Sequence, residues 1–187
     1  MSDERLARIL TAAYQCFTRH GMRRTTMDDI AAAAGMSRPA VYQYVRNKDD
    51  AYRRLATGLF DQALADARSA AAGTGPPADR LHDVLATKLE LTLRLWQDSP
   101  HAAELLDAST RLTGDLVEAY TAAMVDLVTE AARPEAGDRA RTVAELLIAL
   151  TRGLEADLTD PDLPRRRLRE GVALIVAGLH PQTGASA

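Results

Sequence analysis

Apolar residues recur at intervals of three and four along almost the whole chain, the spacing of one face of an α-helix, and no alternating β-branched run bounded by turn residues interrupts them. The pattern predicts an all-α protein. Leu6, Ile9, Leu10, Ala13 and Phe17 form the stripe of a first helix that should stop near His20 and Gly21. Thr26-Met27-Asp28-Asp29 has the form of a capping box, with Thr26 as the cap and two aspartates in the first turn of a second, short helix ending at Gly35. Ser37 caps a third helix, in whose first turn Pro39 is tolerated. Asn47 or Lys48 starts a longer helix that runs to about Ala72, where Gly73-Thr74-Gly75-Pro76-Pro77 breaks it. Further helices are predicted over 79–97, 101–112, 115–132, 138–158 and 165–179, separated by Ser99-Pro100, Thr113-Gly114, Arg133-Pro134 and the Pro161 to Pro164 segment. Residues 182–187 are small and polar and are expected to fray. No internal repeat is visible.

The chain has 187 residues with 47% hydrophobic and 26% charged positions, which excludes a disordered tail protein and suits one large domain or two small ones. A net charge of −3 argues against a nucleic-acid partner until its distribution is considered. Residues 1–54 hold ten Lys/Arg against six Asp/Glu, whereas residues 55–187 hold thirteen against twenty. A basic head therefore precedes an acidic body, and electrostatic footprints are local. One cysteine, Cys16, excludes an internal disulfide and reads as a small buried residue beside Phe17, a redox role being the minor alternative. His20, His82, His101 and His180 are scattered without metal-ligand spacing. No Gly-rich phosphate loop, nucleophile elbow or catalytic constellation occurs, so the reading is of a non-enzyme without cofactor or metal. No stretch approaches the roughly 20 apolar residues that span a bilayer, and the amino terminus lacks a secretory pattern, so a soluble cytoplasmic protein with no membrane partner is expected.

The informative segment runs from Met27 to Arg46. Two short helices crossing steeply need a small residue at their contact, a turn glycine and apolar residues at fixed offsets. Ile30 and Ala34 supply the inner face, Ala31 the close approach, Gly35 the turn, and Met36, Val41 and Tyr44 or Val45 the rest of a small core. This is a helix-turn-helix whose second helix turns Arg38, Pro39, Tyr42 and Gln43 outward.

Phe17 through Gly21, Thr25-Thr26, Ile30-Ala31, Gly35-Met36-Ser37, Val41-Tyr42, Tyr44 and Asn47-Lys48 together resemble the amino-terminal domain of tetracycline-repressor (TetR) family transcriptional regulators. The likeness covers about the first fifty residues. Val45, where the family often has phenylalanine, departs from the pattern in the head's core and not on its DNA face. The resemblance implies a three-helix DNA-binding domain over residues 1–50 and a larger helical effector-binding and dimerisation domain over 51–187. It implies backbone contacts from Thr26, Tyr42, Tyr44 and Lys48, base reading from the recognition helix at Arg38, Pro39, Ala40 and Gln43, and a place on the DNA-binding surface for Ser37. Arg38 suits a bidentate contact with guanine, and Pro39 and Ala40 a thymine methyl.

The expected partners are a double-stranded, palindromic operator, a second copy of the chain and a small-molecule effector that releases a repressor from DNA. Val143, Leu147, Leu150 and Leu154, with Leu168, Val172, Ile175, Val176 and Leu179, form two adjacent stripes that could pair with their symmetry mates. Phe60, Leu89, Thr92, Trp96, Tyr120 and Met124 are the candidate effector wall, aliphatic enough to favour an apolar ligand. The Arg165-Arg166-Arg167 run, following Asp157, Asp160 and Asp162, reads as a solvated or subunit-bridging surface. Two alternatives stay open: a regulator without an effector, and a helical small-molecule-binding protein or enzyme whose head no longer binds DNA.

Overall fold

The computed structural model describes residues 2–179, and side chains over 3–106 and 111–179; His180 and the expected fraying at 182–187 lie outside the described residues. Helix α1 (Ser2–Arg24) is followed by α2 (Met27–Ala33), α3 (Arg38–Tyr42), α4 (Lys48–Ala71), α5 (Pro77–Asp98), α6 (Ala102–Ala136), a 3-10 turn (Gly137–Arg139), α7 (Ala140–Leu154) and α8 (Asp162–Ala177). No strand occurs among the described residues, and the all-α expectation holds.

Local signals placed the early elements well. The first helix is interrupted at Gly21 (φ 77°, ψ 161°), next to the expected stop. Asn47 Oδ1 accepts the Asp50 amide at 2.8 Å, so Asn47 caps α4 and Lys48 is its first residue. Two later expectations are corrected. The helices expected over 101–112 and 115–132 are one element, α6, bent at Thr113 (φ −133°, ψ 20°). Arg53 donates to the Leu112 carbonyl at that bend, so a main-chain acceptor there finds a side-chain partner. The break expected at Arg133-Pro134 is delayed: Pro134 lies in the final turn, and α6 ends only at Ala136.

Two compact units share the chain, Met1–Asp61 with Arg94–Ala119, and Gln62–Leu93 with Tyr120–Ala187. This division by compactness does not coincide with the boundary expected at residue 50. In the first unit α1 packs on α2 and α2 on α3, around Ile9, Phe17, Ile30, Val41, Val45 and Leu105. Phe17 meets Tyr52 edge-on, with ring centroids 5.8 Å apart, and the Tyr52 hydroxyl donates to the Leu105 carbonyl at 2.8 Å.

The second unit buries Leu81, Leu85, Leu89, Met124, Leu147 and Leu168, and sets α7 against α8. A Cβ on Gly171 would lie 2.5 Å from Leu150 Cδ2, so the Leu150 side chain fills the space beside this glycine. Two of the ion pairs that cross this unit engage both carboxylate oxygens: Lys88 donates to the Glu155 oxygens at 2.6 and 2.8 Å, and Arg165 to the Glu90 oxygens at 2.6 and 2.8 Å.

Candidate nucleic-acid interface

The local chemistry of residues 25–45 builds this surface. Thr26 Oγ1 accepts the Asp29 amide at 3.2 Å while Asp29 Oδ2 accepts the Thr26 amide at 2.8 Å and its hydroxyl at 2.7 Å. The box closes in both directions and starts α2. Hydrogen bonds from the Thr26 hydroxyl and then its amide hold the Asp29 carboxyl below the usual carboxylate range. Ile30, Ala31 and Ala34 are buried on the inner face, Gly35 turns the chain with φ 61°, and Ser37 Oγ accepts the Ala40 amide at 3.4 Å to start α3. Val41 and Val45 are both buried, while Met36 and Tyr44 pack partly against the same core.

Burying that side leaves the other to solvent. Ser37, Arg38, Pro39, Tyr42 and Gln43 are exposed, Ala40 is half-buried, and Thr26 is exposed at the start of α2. Arg38 Nη1 donates to Asp28 Oδ2 at 3.0 Å, Nη2 to the Tyr42 hydroxyl at 3.2 Å, and the guanidinium lies 5.5 Å from the Tyr42 ring centroid. The Tyr42 hydroxyl and the Asp28 carboxylate raise the Arg38 pKa. A planar fork stacked on an aromatic ring and held at one edge is restricted in direction before anything binds it.

Two expected backbone contacts are placed differently. Tyr44 turns partly into the head. The Lys48 ammonium donates to the Met22, Arg23 and Thr25 carbonyls at 2.9, 3.3 and 3.3 Å, so its three hydrogens are engaged on the bend between α1 and α2.

Sequence reasoning missed Arg8 and Glu104. Arg8 Nη2 donates to the Ala34 carbonyl at 2.7 Å, securing the end of α2 beside the turn. With Glu4, Arg5, Thr11 and Gln15 it borders an open depression of about 740 Å³ between α1 and the end of α2. The only advance signal was an arginine pair on the polar side of the first helix. Glu104 Oε1 accepts the Arg23 amide at 2.7 Å across 81 residues, a pairing that no local pattern announces.

The candidate effector residues do not share one compact unit. Leu89, Thr92, Tyr120 and Met124 belong to the second and Phe60 and Trp96 to the first. Leu89, Tyr120 and Met124 are buried and Trp96 is exposed. Burial, then the Glu155 charge, raises the Tyr120 pKa.

The proposed dimer stripes need revising. Leu147, Leu168 and Val172 are fully buried against their own chain and have no area to give a partner, and Val143, Val176 and Leu179 keep only a little. Leu150, Leu154 and Ile175 are half-buried, whereas Leu146 and Leu174, which the stripes omitted, are 55% and 74% exposed. In the arginine run, Arg165 is tied to Glu90 and Asp162, and Arg166 lies 3.8 Å from Asp160. Cys16 is buried, and burial followed by the Asp29 charge pushes its thiol pKa up, which disfavours the reactive thiolate. Among the described residues no group of three or more His, Cys, Asp or Glu comes together as metal ligands would, and no helix is long and apolar enough to cross a membrane.

Comparison with known proteins agrees with this geometry. Residues 9–55 match the family model described as bacterial regulatory proteins, tetR family. The chain is 32% identical over 126 residues to the HTH-type transcriptional repressor Rv1474c of Mycobacterium tuberculosis, covering 59% of this chain and 67% of that one. It is 30% identical over 105 residues to the uncharacterized HTH-type transcriptional regulator YhgD of Bacillus subtilis, covering 53% of this chain and only 55% of that relative's length. The fold superposes on that of SmeT, solved as a triclosan complex, with a TM-score of 0.68 and 21% identity over 98% of both chains.

Proposed function

Because the chain belongs to the tetR family of bacterial transcriptional regulators, we propose that it acts as a homodimeric, sequence-specific repressor released from a palindromic operator by a small-molecule effector. The observation that carries this reading is the exposed face of α3, where Ser37, Arg38, Pro39, Tyr42 and Gln43 stand outward on a turn held rigidly by buried apolar residues. Thr26 would reach a phosphate by exchanging the Asp29 carboxylate that its hydroxyl and amide engage, and Ala40 adds an apolar contact at the edge. Residues 1–50 supply this function, and residues 51–187 bind the effector and the second copy.

Leu146 and Leu174, with half-buried Leu150, Leu154 and Ile175, are the apolar surface offered to a second copy. A two-fold dimer presents two recognition helices to half-sites roughly 34–36 Å apart, or a multiple of that spacing. Effector binding to the helical body is supported by the SmeT complex with triclosan, a protein of the same fold. Leu89, Thr92, Tyr120 and Met124, which share one compact unit, are the proposed contacts. An effector that weakens DNA binding about 100-fold must favour the released form by about 2.7 kcal/mol. The protein works in the cytoplasm and needs no cofactor.

Binding to DNA fragments flanking its own gene, measured at several salt concentrations, tests the reading. A regulator shows sequence-selective affinity whose logarithm falls by about 0.9 per neutralised phosphate per log unit of salt. Weak, unselective binding with no salt dependence would leave a helical ligand-binding protein with a silent head.

A further inference from the structure

The bend between α1 and α2 is held from two sides by opposite charges within one compact unit. Lys48, at the start of α4, takes the carbonyls of Met22, Arg23 and Thr25. Glu104, in the first turn of α6, takes the Arg23 amide at 2.7 Å. Its second oxygen fills the space a side chain at residue 21 would need, since a Cβ on Gly21 would lie 2.6 Å from Glu104 Oε2. The positive φ of 77° and this occupied space act at the same residue. Thr25 then returns its hydroxyl to the Gly21 carbonyl at 2.8 Å and to the Cys16 carbonyl at 3.1 Å. The next residue is Thr26, the exposed cap of α2.

We propose that Glu104 is a positioning residue for DNA binding, fixing through the Arg23 amide the bend that places Thr26 and α2. This rests on the DNA-binding reading above. A carboxylate accepts an N–H more strongly than a neutral group does, and here it reaches a main-chain donor released from the helical ladder by the break at Gly21. The start of α6 is thereby joined to the DNA-facing surface by a contact that does not pass through α3.

Glu104 also carries a negative charge beside Arg23 and Arg24, and charge alone predicts the opposite result. A carboxylate near phosphates repels them, so removing it would tighten DNA binding. Three variants of the full chain separate the effects. Glu104→Gln keeps an acceptor oxygen of the same reach without the charge, Glu104→Asp keeps the charge and falls one methylene short, and Glu104→Leu loses both. Hydrogen exchange at the Arg23 amide is read without DNA. Affinity is then read across salt concentrations, for a duplex selected by the wild-type protein and for an unrelated duplex of equal length.

The expected result is that Glu104→Asp and Glu104→Leu each speed exchange at Arg23, and weaken the selected duplex, by about tenfold, as for loss of a charge-assisted hydrogen bond. The salt slope stays at the wild-type value, because no phosphate contact is removed. Glu104→Gln stays within about threefold of wild type in both measurements. Equal tightening by Glu104→Gln and Glu104→Leu, or unchanged exchange in Glu104→Asp, overturns the proposal. Glu104→Asp retains a polar carboxylate and covers the case in which Glu104→Leu fails to fold. A wild-type protein that selects no DNA sinks the DNA-binding reading itself, an outcome visible before any variant is made.

Discussion

Arg38 and Asp28 are paired at 3.0 Å, so the side chain best suited to read a base carries a carboxylate from the preceding helix. Both are largely exposed, and such a pair is weak and easily exchanged for a stronger partner. Under the proposed DNA-binding function the consequence is selectivity, since Arg38 would gain from leaving Asp28 only where a guanine edge replaces it. Asp28→Asn should therefore raise affinity for unrelated duplexes more than for the operator and narrow the gap between them. Arg38→Ala should relax preference at one base pair per half-site and weaken the operator by about 10- to 100-fold. Competition binding against a panel of single-base operator variants measures both. Uniform loss across the panel would remove Arg38 from base reading.

Lys48→Ala should destabilise the head before it affects any phosphate. Its three carbonyl partners lose a charged donor, a change of about 1.5–3 kcal/mol in unfolding free energy. All duplexes should then bind more weakly by one common factor, with the salt slope unchanged. A slope reduced by about 0.9 in the same titration would show instead that the ammonium reaches DNA.

Leu146→Glu and Leu174→Glu should each yield a folded monomer with DNA affinity greatly reduced, as judged by sedimentation and operator binding. Leu147→Ala, one residue away and fully buried, should instead cost about 2–5 kcal/mol of stability. A dimer that survives both glutamate substitutions places the interface elsewhere.

Lys88 and Glu155 are mostly buried, with side-chain exposures of 11% and 16%. Removing one partner leaves the other charge stranded, so Lys88→Met should destabilise by about 3–5 kcal/mol in a denaturant titration. Lys88→Met with Glu155→Leu should recover most of that loss, because two apolar groups leave no uncompensated charge. A double variant no better than the single would mean that Glu155 is satisfied without Lys88.

Asp115 is held down to a pKa of about 2, principally by hydrogen bonds from Arg53, whose Nη1 and Nη2 each approach one carboxylate oxygen at 2.8 Å. A carboxyl depressed in the folded state adds stability that is complete above its ordinary unfolded pKa, near 3.8, and is lost as pH falls through about 2. Carboxyl NMR titration should find Asp115 returned to the ordinary range in Arg53→Gln. An Asp115 pKa that stays low in the variant would assign the shift to main-chain donors alone.

The parts of this molecule that could be read in advance are those whose chemistry is local. Thr26 with Asp29, Gly35, and Ser37 with Pro39 each act within four residues, and the structure realises all three. Legibility failed where partners are distant. Nothing in the sequence near Glu104 points to Arg23, 81 residues earlier, or near Lys88 to Glu155, 67 residues later. The stripes on α7 and α8 failed differently. Both helices are apolar on more than one side, so periodicity located Leu147 and Leu168 but could not tell the buried side from the side carrying Leu146 and Leu174. Pro134 marked the approach of a helix end, and α6 closes two residues beyond it at Ala136.

Gly171 lies far along the chain from every residue proposed to touch DNA, yet it bears on the apolar patch proposed for a second copy. Leu150, one of the half-buried leucines of that patch, occupies the space that a side chain at residue 171 would fill. A methyl group there would push Leu150 aside and reshape the patch from within, changing none of the residues that show on it. Its contour is thus drawn partly by one hydrogen atom where other residues carry carbon.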